Sequence, residues 1–367
     1  MTHSGLDLIV NRKDLSQSSI VAASFPDPLP EGSCLLRVDR FALTANNITY
    51  GVAADMLGYW NFFPTGDDKT GRIPVWGFAD VVASAHPDVA VGTRVYGYLP
   101  MSTHVLIYPD RLTPAGFSDG APHRAPLSPI YNHYARTTAD AQWTPEAEPM
   151  ISLFRPLFTT SFLLEDLHRE NAYFGAETVI LSSASSKTAI GLAHLLSRAR
   201  PEGLRIAGLT SPGNRAFVDS LGCYDIVLGY DDLDSLPKCP SAYVDMAGNA
   251  DLRRRVHMHL GDALKSSRAV GMTHWQASGG LGGDDLPGAR PEFFFAPSYA
   301  QDRLAALGRD AFQARLDAAW TDFIAQADQW VTVTEFLGPD AVLARYAASQ
   351  RGKIAPNEGH ILSLHDS

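Results

Sequence analysis

Residues 178–196 read TVILSSASSKTAIGLAHLL and contain the clearest fold signal in the chain. The stretch opens with an apolar run of buried-strand length, passes through small polar residues, and continues with apolar residues at helical spacing. Residues 204–275 repeat this alternation, with strand-like segments beginning near residues 204, 225, 241 and 267 and helix-like segments between them. Strands alternating with helices of this length predict a doubly wound parallel sheet with helices on both faces.

A different pattern precedes this region. Residues 34–106 contain short β-branched or aromatic runs interrupted by Gly, Pro and Asn, which is typical of an antiparallel β domain. Residues 109–149 are too many for a plain connection, so they form either a functional lid or an insertion with helical pieces. Helices are expected over residues 158–169 and 311–330.

Composition narrows the class of protein. A chain of 367 residues and 39.8 kDa favours two domains, and its formal charge of −10 disfavours nucleic acid as a partner and favours a small molecule. The three cysteines are too few and too widely spaced for a disulfide framework, so a reducing cytoplasmic location is expected. No run of 18 apolar residues occurs, which predicts no membrane span.

The loop after the first strand of the parallel sheet is a candidate phosphate site. Residues 182–188 read SSASSKT, so they lack the glycines of G-x-G-x-x-G but keep small residues that let backbone approach a phosphate. Serine hydroxyls add donors and Lys187 adds charge. Two other interpretations stay open: a helix cap without a ligand, and a nucleoside-triphosphate loop, against which both of its required glycines are absent.

The end of the second strand bears on which dinucleotide would bind. In NAD-binding sheets an acidic residue at this place holds the ribose hydroxyls, but residues 209–215 read LTSPGNR and contain no carboxylate. Ser211, Asn214 and Arg215 can all donate to a 2′-phosphate, so NADPH is favoured over NADH. The alternative is that Arg215 is a solvated residue on the first turn of a helix.

Taken together, the motifs resemble those of the medium-chain dehydrogenase/reductase superfamily, in its zinc-independent, quinone-oxidoreductase-like branch. LTANNITYG (43–51) stands where that branch has V-N-P-x-D-x-Y-x-x-G, IPVWGFADVVAS (73–84) replaces P-G-x-E-x-x-G-x-V, and VDMAGN (244–249) resembles V-D-x-x-G-G. The resemblance is closer still to a bacterial group of unknown function within the superfamily. Residues 76–79, WGFA, occupy the place of the zinc-binding G-H-E, which implies that no metal is bound.

The resemblance implies a fold and a division of the chain. A GroES-like antiparallel β catalytic domain is expected over residues 1–150 and 331–367, because KIAPNEGHILSL (353–364) resembles the returning C-terminal strand. A Rossmann-like dinucleotide-binding domain is expected over residues 151–330. Homodimerisation is expected by analogy with similar proteins.

The resemblance also implies site residues. Those expected beside the pyrophosphate are Ser185, Ser186 and Lys187, and those expected beside the 2′-phosphate are Ser211, Asn214, Arg215 and Tyr230. Residues expected at cofactor-facing strand ends are Thr210, Met246, Ala247, Gly271 and Thr273. Residues expected at the nicotinamide are Asn46, Tyr50 and Thr160.

Hydride transfer without a metal needs another group to stabilise the charge that develops on the substrate. Tyr50 is the first choice of proton donor, with an ordinary strand-end aromatic as the alternative. His274 or His104 could assist, although a lone histidine is more often structural. The aromatic runs 59–63 and 293–295 are interpreted as core, or else as walls of an apolar substrate cleft.

The leading hypothesis is a zinc-independent, NADPH-dependent oxidoreductase that transfers hydride to an activated alkene, quinone or carbonyl compound. One alternative on the same fold is a non-redox lyase or isomerase, which would turn over substrate without consuming NADPH. Another is an NADPH-binding protein without turnover. One fold hosts many chemistries, so the fold does not decide among them.

Overall fold

The chain divides into two units. A computed structural model describes residues 2–270 and 286–366. Unit 1 comprises Met1–Leu153 and Thr332–Ser367, and unit 2 comprises Phe154–Val331.

The first part of unit 1 consists mainly of strands. Its elements are β1 (Thr2–Asn11), β2 (Asp14–Pro26), β3 (Cys34–Leu43), α1 (Ala45–Val52), α2 (Ala54–Leu57), β4 (Thr70–Gly71), β5 (Pro74–Ser84), β6 (Arg94–Pro100), β7 (His104–Ile107), β8 (Pro109–Thr113), β9 (Gly116–Asp119) and β10 (His133–Arg136).

Unit 2 alternates strands and helices after a long first helix that begins in unit 1. Its elements are α3 (Glu148–Glu170), β11 (Thr178–Ser182), α4 (Lys187–Ala199), β12 (Arg205–Thr210), α5 (Arg215–Ser220), β13 (Ile226–Gly229), β14 (Ser241–Asp245), α6 (Ala250–Leu260), β15 (Leu264–Ala269), β16 (Pro291–Phe293), α7 (Ala296–Leu307) and α8 (Arg309–Trp330). The chain then adds β17 (Thr332–Leu337), α9 (Pro339–Gln350) and β18 (Glu358–Ser363) to unit 1.

The main sheet of unit 1 is largely antiparallel. Its strand order is β17-β18-β3-β5-β6-β10-β9-β8, and β7 also pairs with β3. The C-terminal strand β18 pairs antiparallel with β3, whereas β17 runs parallel to β18. The last part of the chain therefore belongs to the same sheet as β3, although more than three hundred residues separate β3 from β18.

Strands β3 and β5 pair antiparallel, and their backbones come very close at residue 77. A Cβ on Gly77 would lie 2.2 Å from the carbonyl oxygen of Arg40 and 2.7 Å from the Cα of Phe41. No side chain fits at residue 77 unless the backbone moves, so glycine is required there by the pairing of the two strands.

The long connection at residues 109–149 contains three short strands and four short 3₁₀ turns. β8, β9 and β10 extend the main sheet, and short 3₁₀ turns join them. Arg124 is buried and forms a salt bridge with Asp119 at 3.1 Å, while its guanidinium lies 4.5 Å from the ring centroid of Phe63. The short helical pieces expected by one of the two interpretations are present.

Sequence analysis did not predict the first two strands. β1 and β2 pair antiparallel over residues 2–26 and form a separate three-stranded sheet with β4. The signal was present in the alternation of apolar and polar residues on both sides of the turn at residues 12–13.

The sheet of unit 2 is parallel throughout, in the order β13-β12-β11-β14-β15-β16. Its core includes Ile180 of β11 and Tyr243 of β14, against which Leu252, Val256 and Leu260 of α6 pack. These three leucine and valine residues recur every four positions and so lie on one helix face. The predicted α/β class, an antiparallel domain with a doubly wound parallel sheet, is confirmed.

Helices α3 and α4 approach each other closely in unit 2. The Ser161 hydroxyl donates to the carbonyl oxygen of Thr188 at 2.7 Å. A Cβ on Gly191 would lie 2.8 Å from the same hydroxyl oxygen. The glycine in SKTAIG therefore allows the close packing that fixes the start of α4.

Candidate functional site

The serine-rich loop lies between the carboxyl end of β11 and the start of α4. Ser183 has a φ of 50°, a left-handed conformation that glycine adopts most easily. Ser186 caps α4, because its hydroxyl accepts from the backbone N–H of Ala189 at 3.3 Å. The chain keeps the backbone shape that glycine normally provides at residue 183 and places Lys187 in the first turn of α4.

Side chains from neighbouring elements hold this loop. The Tyr224 hydroxyl donates to the carbonyl oxygen of Ala184 at 2.9 Å. The Asn214 amide donates to the Ser185 hydroxyl at 2.9 Å. Ser185 was expected beside the pyrophosphate and Asn214 beside the 2′-phosphate. Their hydrogen bond shows that the loop and the segment after β12 lie side by side.

A buried carboxylate that sequence analysis missed supports the same loop. Asp245, at the end of β14, accepts from the Ser182 hydroxyl at 2.9 Å and from the Gly248 N–H at 3.0 Å. Burial raises the pKa of Asp245 above its ordinary value, while Arg253, 3.8 Å away, acts in the opposite direction. The sequence contained this residue in VDMAGN, but only its strand was interpreted.

The ends of β12 and β13 form a second polar region. Tyr230 donates its backbone N–H to the carbonyl oxygen of Thr210 at 3.1 Å. Arg215 is half-exposed and lies 3.4 Å from Asp232, whose carboxylate also accepts from the Gly229 N–H at 3.3 Å. Asp232 was not predicted as a site residue, because it lies seventeen positions after the arginine that it contacts.

The residues of this region fit a phosphorylated dinucleotide. Thr210 is fully buried at the end of β12, and its hydroxyl has no hydrogen-bond partner within the described part of unit 2. Residues 209–215 offer hydroxyl, amide and guanidinium donors without a carboxylate. The start of α4 adds the positive end of a helix dipole, which favours an anion.

The other residues predicted to contact the cofactor lie on several different elements. Lys187 places its ammonium 6.0 Å from the ring centroid of Phe154. Met246 and Ala247 are half-buried after β14, and the Ala247 N–H donates to the Ser182 hydroxyl at 3.1 Å. Thr160 lies within α3, where its hydroxyl donates to the carbonyl oxygen of Pro156 at 3.4 Å.

Three predicted residues fall outside the described parts of the chain. These residues are Gly271, Thr273 and His274.

The candidate proton donor lies in unit 1. Tyr50 is on α1, where its ring is buried and its hydroxyl oxygen accepts from the indole N–H of Trp76 at 3.3 Å. Burial raises the pKa of Tyr50 far above its ordinary value and the neighbouring Tyr131 adds to that shift, while the hydrogen bond from Trp76 partly opposes it. Asn46, which was predicted together with Tyr50, lies one turn earlier on the same helix.

Aromatic side chains surround Tyr50. Its ring centroid lies 4.8 Å from that of Tyr59, 5.5 Å from that of Tyr98 and 6.4 Å from that of Tyr131. The hydroxyl groups of Tyr59 and Tyr131 are 3.4 Å apart. These four tyrosines and Trp76 are called the phenol cluster below.

The aromatic run 59–63 joins the core, as one of its two interpretations predicted. Tyr59, Trp60, Phe62 and Phe63 are all buried. Tyr98, contributed by β6, is fully buried, and no hydrogen-bond partner for its hydroxyl occurs among the described residues.

His104 lies on β7. Its ring contacts Phe25 and His365, and its Nδ1 is 3.0 Å from the Thr103 hydroxyl. Burial, together with the neighbouring His365 and Arg37, lowers the pKa of His104 to about 4. The imidazole is therefore neutral near pH 7 and does not supply a cationic group there.

The described residues contain neither a metal-binding group nor a membrane-spanning helix. Across residues 2–270 and 286–366, no three His, Cys, Asp or Glu side chains are grouped so that they could hold a metal ion. None of the described helices is long and apolar enough to cross a membrane.

The fold is shared with solved structures that include an oxidoreductase and a reductase. CurA from Vibrio vulnificus, crystallised with NADPH, is 13% identical with a TM-score of 0.60, and the match covers 99% of this chain and 100% of that one. The yhdH oxidoreductase from Salmonella enterica, crystallised with NADP, is 15% identical with a TM-score of 0.53 over 98% and 99% of the two chains. A mutant form of enoyl thioester reductase from Candida tropicalis is 11% identical with a TM-score of 0.55 over 98% and 100%. At these identities the similarity shows the fold: a GroES-like domain with a Rossmann-like domain.

Residues 41–355 match the family described as "Protein of unknown function (DUF2855)", and the chain belongs to that family. This finding confirms the expected membership of a family of unknown function. No protein with a curated function matches the sequence.

Proposed function

We propose that the protein is a zinc-independent, NADPH-dependent reductase that transfers hydride to an activated alkene, quinone or carbonyl compound. The observation that carries this proposal is the polar region at the ends of β11 and β12. Asn214 bonds to the serine loop there, Thr210 offers a buried hydroxyl without a partner in the described structure, and residues 209–215 include Arg215 and contain no carboxylate.

The comparisons support the choice of cofactor. CurA and the yhdH oxidoreductase, which share the fold over almost their whole length, were crystallised with NADPH and NADP. In this chain, Ser185, Ser186 and Lys187 would hold the pyrophosphate, and Ser211, Asn214, Arg215 and Tyr230 the 2′-phosphate. Residues 151–330 would thus bind the dinucleotide, and residues 1–150 with 331–367 would supply the catalytic group.

When bound, NADPH supplies a hydride, which carries both electrons of its bond to the electrophilic carbon of the substrate. The negative charge that results on the substrate needs a proton to complete the reduction. The Tyr50 hydroxyl supplies that proton and regains one from water afterwards. Because burial keeps this phenol protonated at neutral pH, Tyr50 is in the form that a proton donor requires.

The proposal includes a location and partners. Cys34, Cys223 and Cys239 are free thiols, which is consistent with a reducing cytoplasm. The partner would be a small molecule, and a homodimer is the expected assembly.

The proposal is tested by binding and by turnover. Purified protein is titrated with NADPH while nicotinamide fluorescence is followed, and NADPH consumption is then measured with enones, quinones and aldehydes. Micromolar binding and consumption with at least one class are expected. Binding without consumption across the panel would support a binding protein, turnover without consumption would support a lyase or isomerase, and no binding would refute the proposal.

Tyr50→Phe tests the catalytic assignment. The variant should keep NADPH affinity and lose most of its turnover. Tyr134→Phe is the matched control, because it removes another buried phenol hydroxyl of unit 1, one that donates to the carbonyl oxygen of Tyr98 at 3.2 Å. Equal activity losses in the two variants would argue against a specific role for Tyr50.

A further inference from the structure

Trp76 is the one residue of the phenol cluster whose polar group donates to Tyr50. It lies on β5, paired with Ala42 of β3 on one side and with Tyr98 of β6 on the other. Its ring stacks on Tyr96 at a centroid distance of 5.6 Å and an interplanar angle of 23°, and lies 5.1 Å from the ring of Tyr98. Strand pairing and ring packing therefore hold the indole in place independently of its N–H.

The direction of this hydrogen bond constrains Tyr50. An indole N–H can only donate, so the phenol oxygen must accept, and the proton on that oxygen has to point away from Trp76. Hydrogen bonds to an ionised acceptor are stronger than those to a neutral one. The indole N–H therefore stabilises the phenolate of Tyr50 more than it stabilises the phenol.

No charged side chain makes a described hydrogen bond or ring contact with Tyr50. The titratable groups that face it are the phenols of Tyr59, Tyr98 and Tyr131, and burial raises the pKa of each of them. They remain neutral when Tyr50 loses its proton. The stabilisation of the phenolate then depends on neutral donors, and the indole N–H of Trp76 donates to the phenol oxygen.

We propose that Trp76 is a positioning residue for proton donation: its indole N–H fixes the direction in which the Tyr50 hydroxyl donates and stabilises the phenolate left behind. This inference rests on the proposed function, in which Tyr50 protonates the substrate after hydride transfer. Trp76 itself does not transfer a proton. It acts through the oxygen of Tyr50.

Trp76→Phe tests the inference by turnover, because phenylalanine keeps an aromatic ring on β5 and removes the N–H. With the loss of one hydrogen bond to a developing charge, kcat should fall about tenfold. The KM for NADPH should stay within about twofold, since only proton transfer is affected. The solvent deuterium isotope effect on kcat should rise, because proton transfer becomes more rate-limiting.

Trp60→Phe is the matched control. Trp60 is also a buried tryptophan of unit 1, but its indole N–H has no hydrogen-bond partner among the described residues. This variant should keep both kcat and the isotope effect of the wild type. Equal effects of the two substitutions, or an unchanged isotope effect in Trp76→Phe, would overturn the inference.

Two spectroscopic measurements do not depend on turnover. Tyr50→Phe leaves Trp76 intact and, in protein with ¹⁵N-labelled tryptophan, should shift the Trp76 indole N–H signal among the six expected from the sequence. Trifluorotyrosine at residue 50, which titrates at lower pH, should show a higher pKa by ¹⁹F NMR in Trp76→Phe than in protein with Trp76.

The outcomes separate this inference from the proposed function. An unmoved indole signal, or an unchanged fluorotyrosine pKa, would refute the role of Trp76 even if the protein is an active reductase. A shifted signal and a raised pKa in a protein without turnover would support the hydrogen bond while the proposed reaction fails.

Discussion

The contact between Arg215 and Asp232 predicts how the protein would distinguish NADPH from NADH. Both side chains are half-exposed and their charged atoms are 3.4 Å apart, so the pair itself stabilises the protein by only about 0.5 kcal/mol. A 2′-phosphate would compete with Asp232 for the same guanidinium. Removing the arginine should therefore weaken NADPH binding, and removing the competing carboxylate should strengthen it.

The expected changes in binding free energy follow from the exposure of the Arg215 side chain. A hydrogen bond to a charged group contributes about 1.5–3 kcal/mol, and half-exposure places Arg215 at the low end of that range. Arg215→Ala should raise the Kd of NADPH about tenfold and leave that of NADH nearly unchanged. Asp232→Asn should lower the Kd of NADPH about twofold, because about 0.5 kcal/mol of competition is removed.

The assay is a fluorescence titration of each variant with NADPH and with NADH at one fixed ionic strength. Arg254→Ala is the matched control, since Arg254 also lies in unit 2 and forms an exposed ion pair, with Asp251 at 3.2 Å. Equal losses for the two nicotinamide forms in Arg215→Ala, or the same loss in Arg254→Ala, would contradict the assignment of Arg215 to the 2′-phosphate.

Three further predictions concern stability, each measured by urea unfolding. Burial lowers the pKa of the fully buried His168 to about 4, so the free energy of unfolding that the neutral imidazole contributes is present above pH 6.5 and falls by about 3 kcal/mol towards pH 4. His168→Asn should therefore lose less stability between pH 6.5 and pH 4 than the wild type. An identical pH dependence in the two proteins would refute this prediction. Gly77→Ala should cost about 1–3 kcal/mol because of the 2.2 Å approach to Arg40, whereas Gly213→Ala, with no atom within 4 Å, should cost little. Ser182→Ala should cost about 1–3 kcal/mol, because it removes the hydroxyl that bonds to Asp245, and an unchanged midpoint would contradict the supporting role of that contact.

Local patterns were enough to predict the parallel sheet. β11 and α4 follow the apolar periods of residues 178–196, and α8 covers the predicted helix at residues 311–330. Each of these elements buries one helix face or one apolar strand, so the spacing of apolar residues along the sequence is enough to identify it. The β1–β2 hairpin was missed because its strands are half-exposed, which weakens the contrast between apolar and polar positions.

Contacts between distant residues account for most of what sequence analysis missed in the site. Asp245 and Ser182 come from strands that lie side by side only after the sheet forms, and they are sixty-three positions apart. Trp76 was interpreted only as a replacement for a zinc ligand, because nothing in the sequence shows that β5 carries it to Tyr50. The serine loop was predictable because its residues are contiguous.

A crystal structure of the protein with NADPH tests the central claim most directly. We expect the pyrophosphate to lie against Ser185, Ser186 and Lys187. We expect the 2′-phosphate to bind Arg215 and to displace Asp232 from that guanidinium. Density for the dinucleotide at another place, or none at saturating NADPH, would contradict the account.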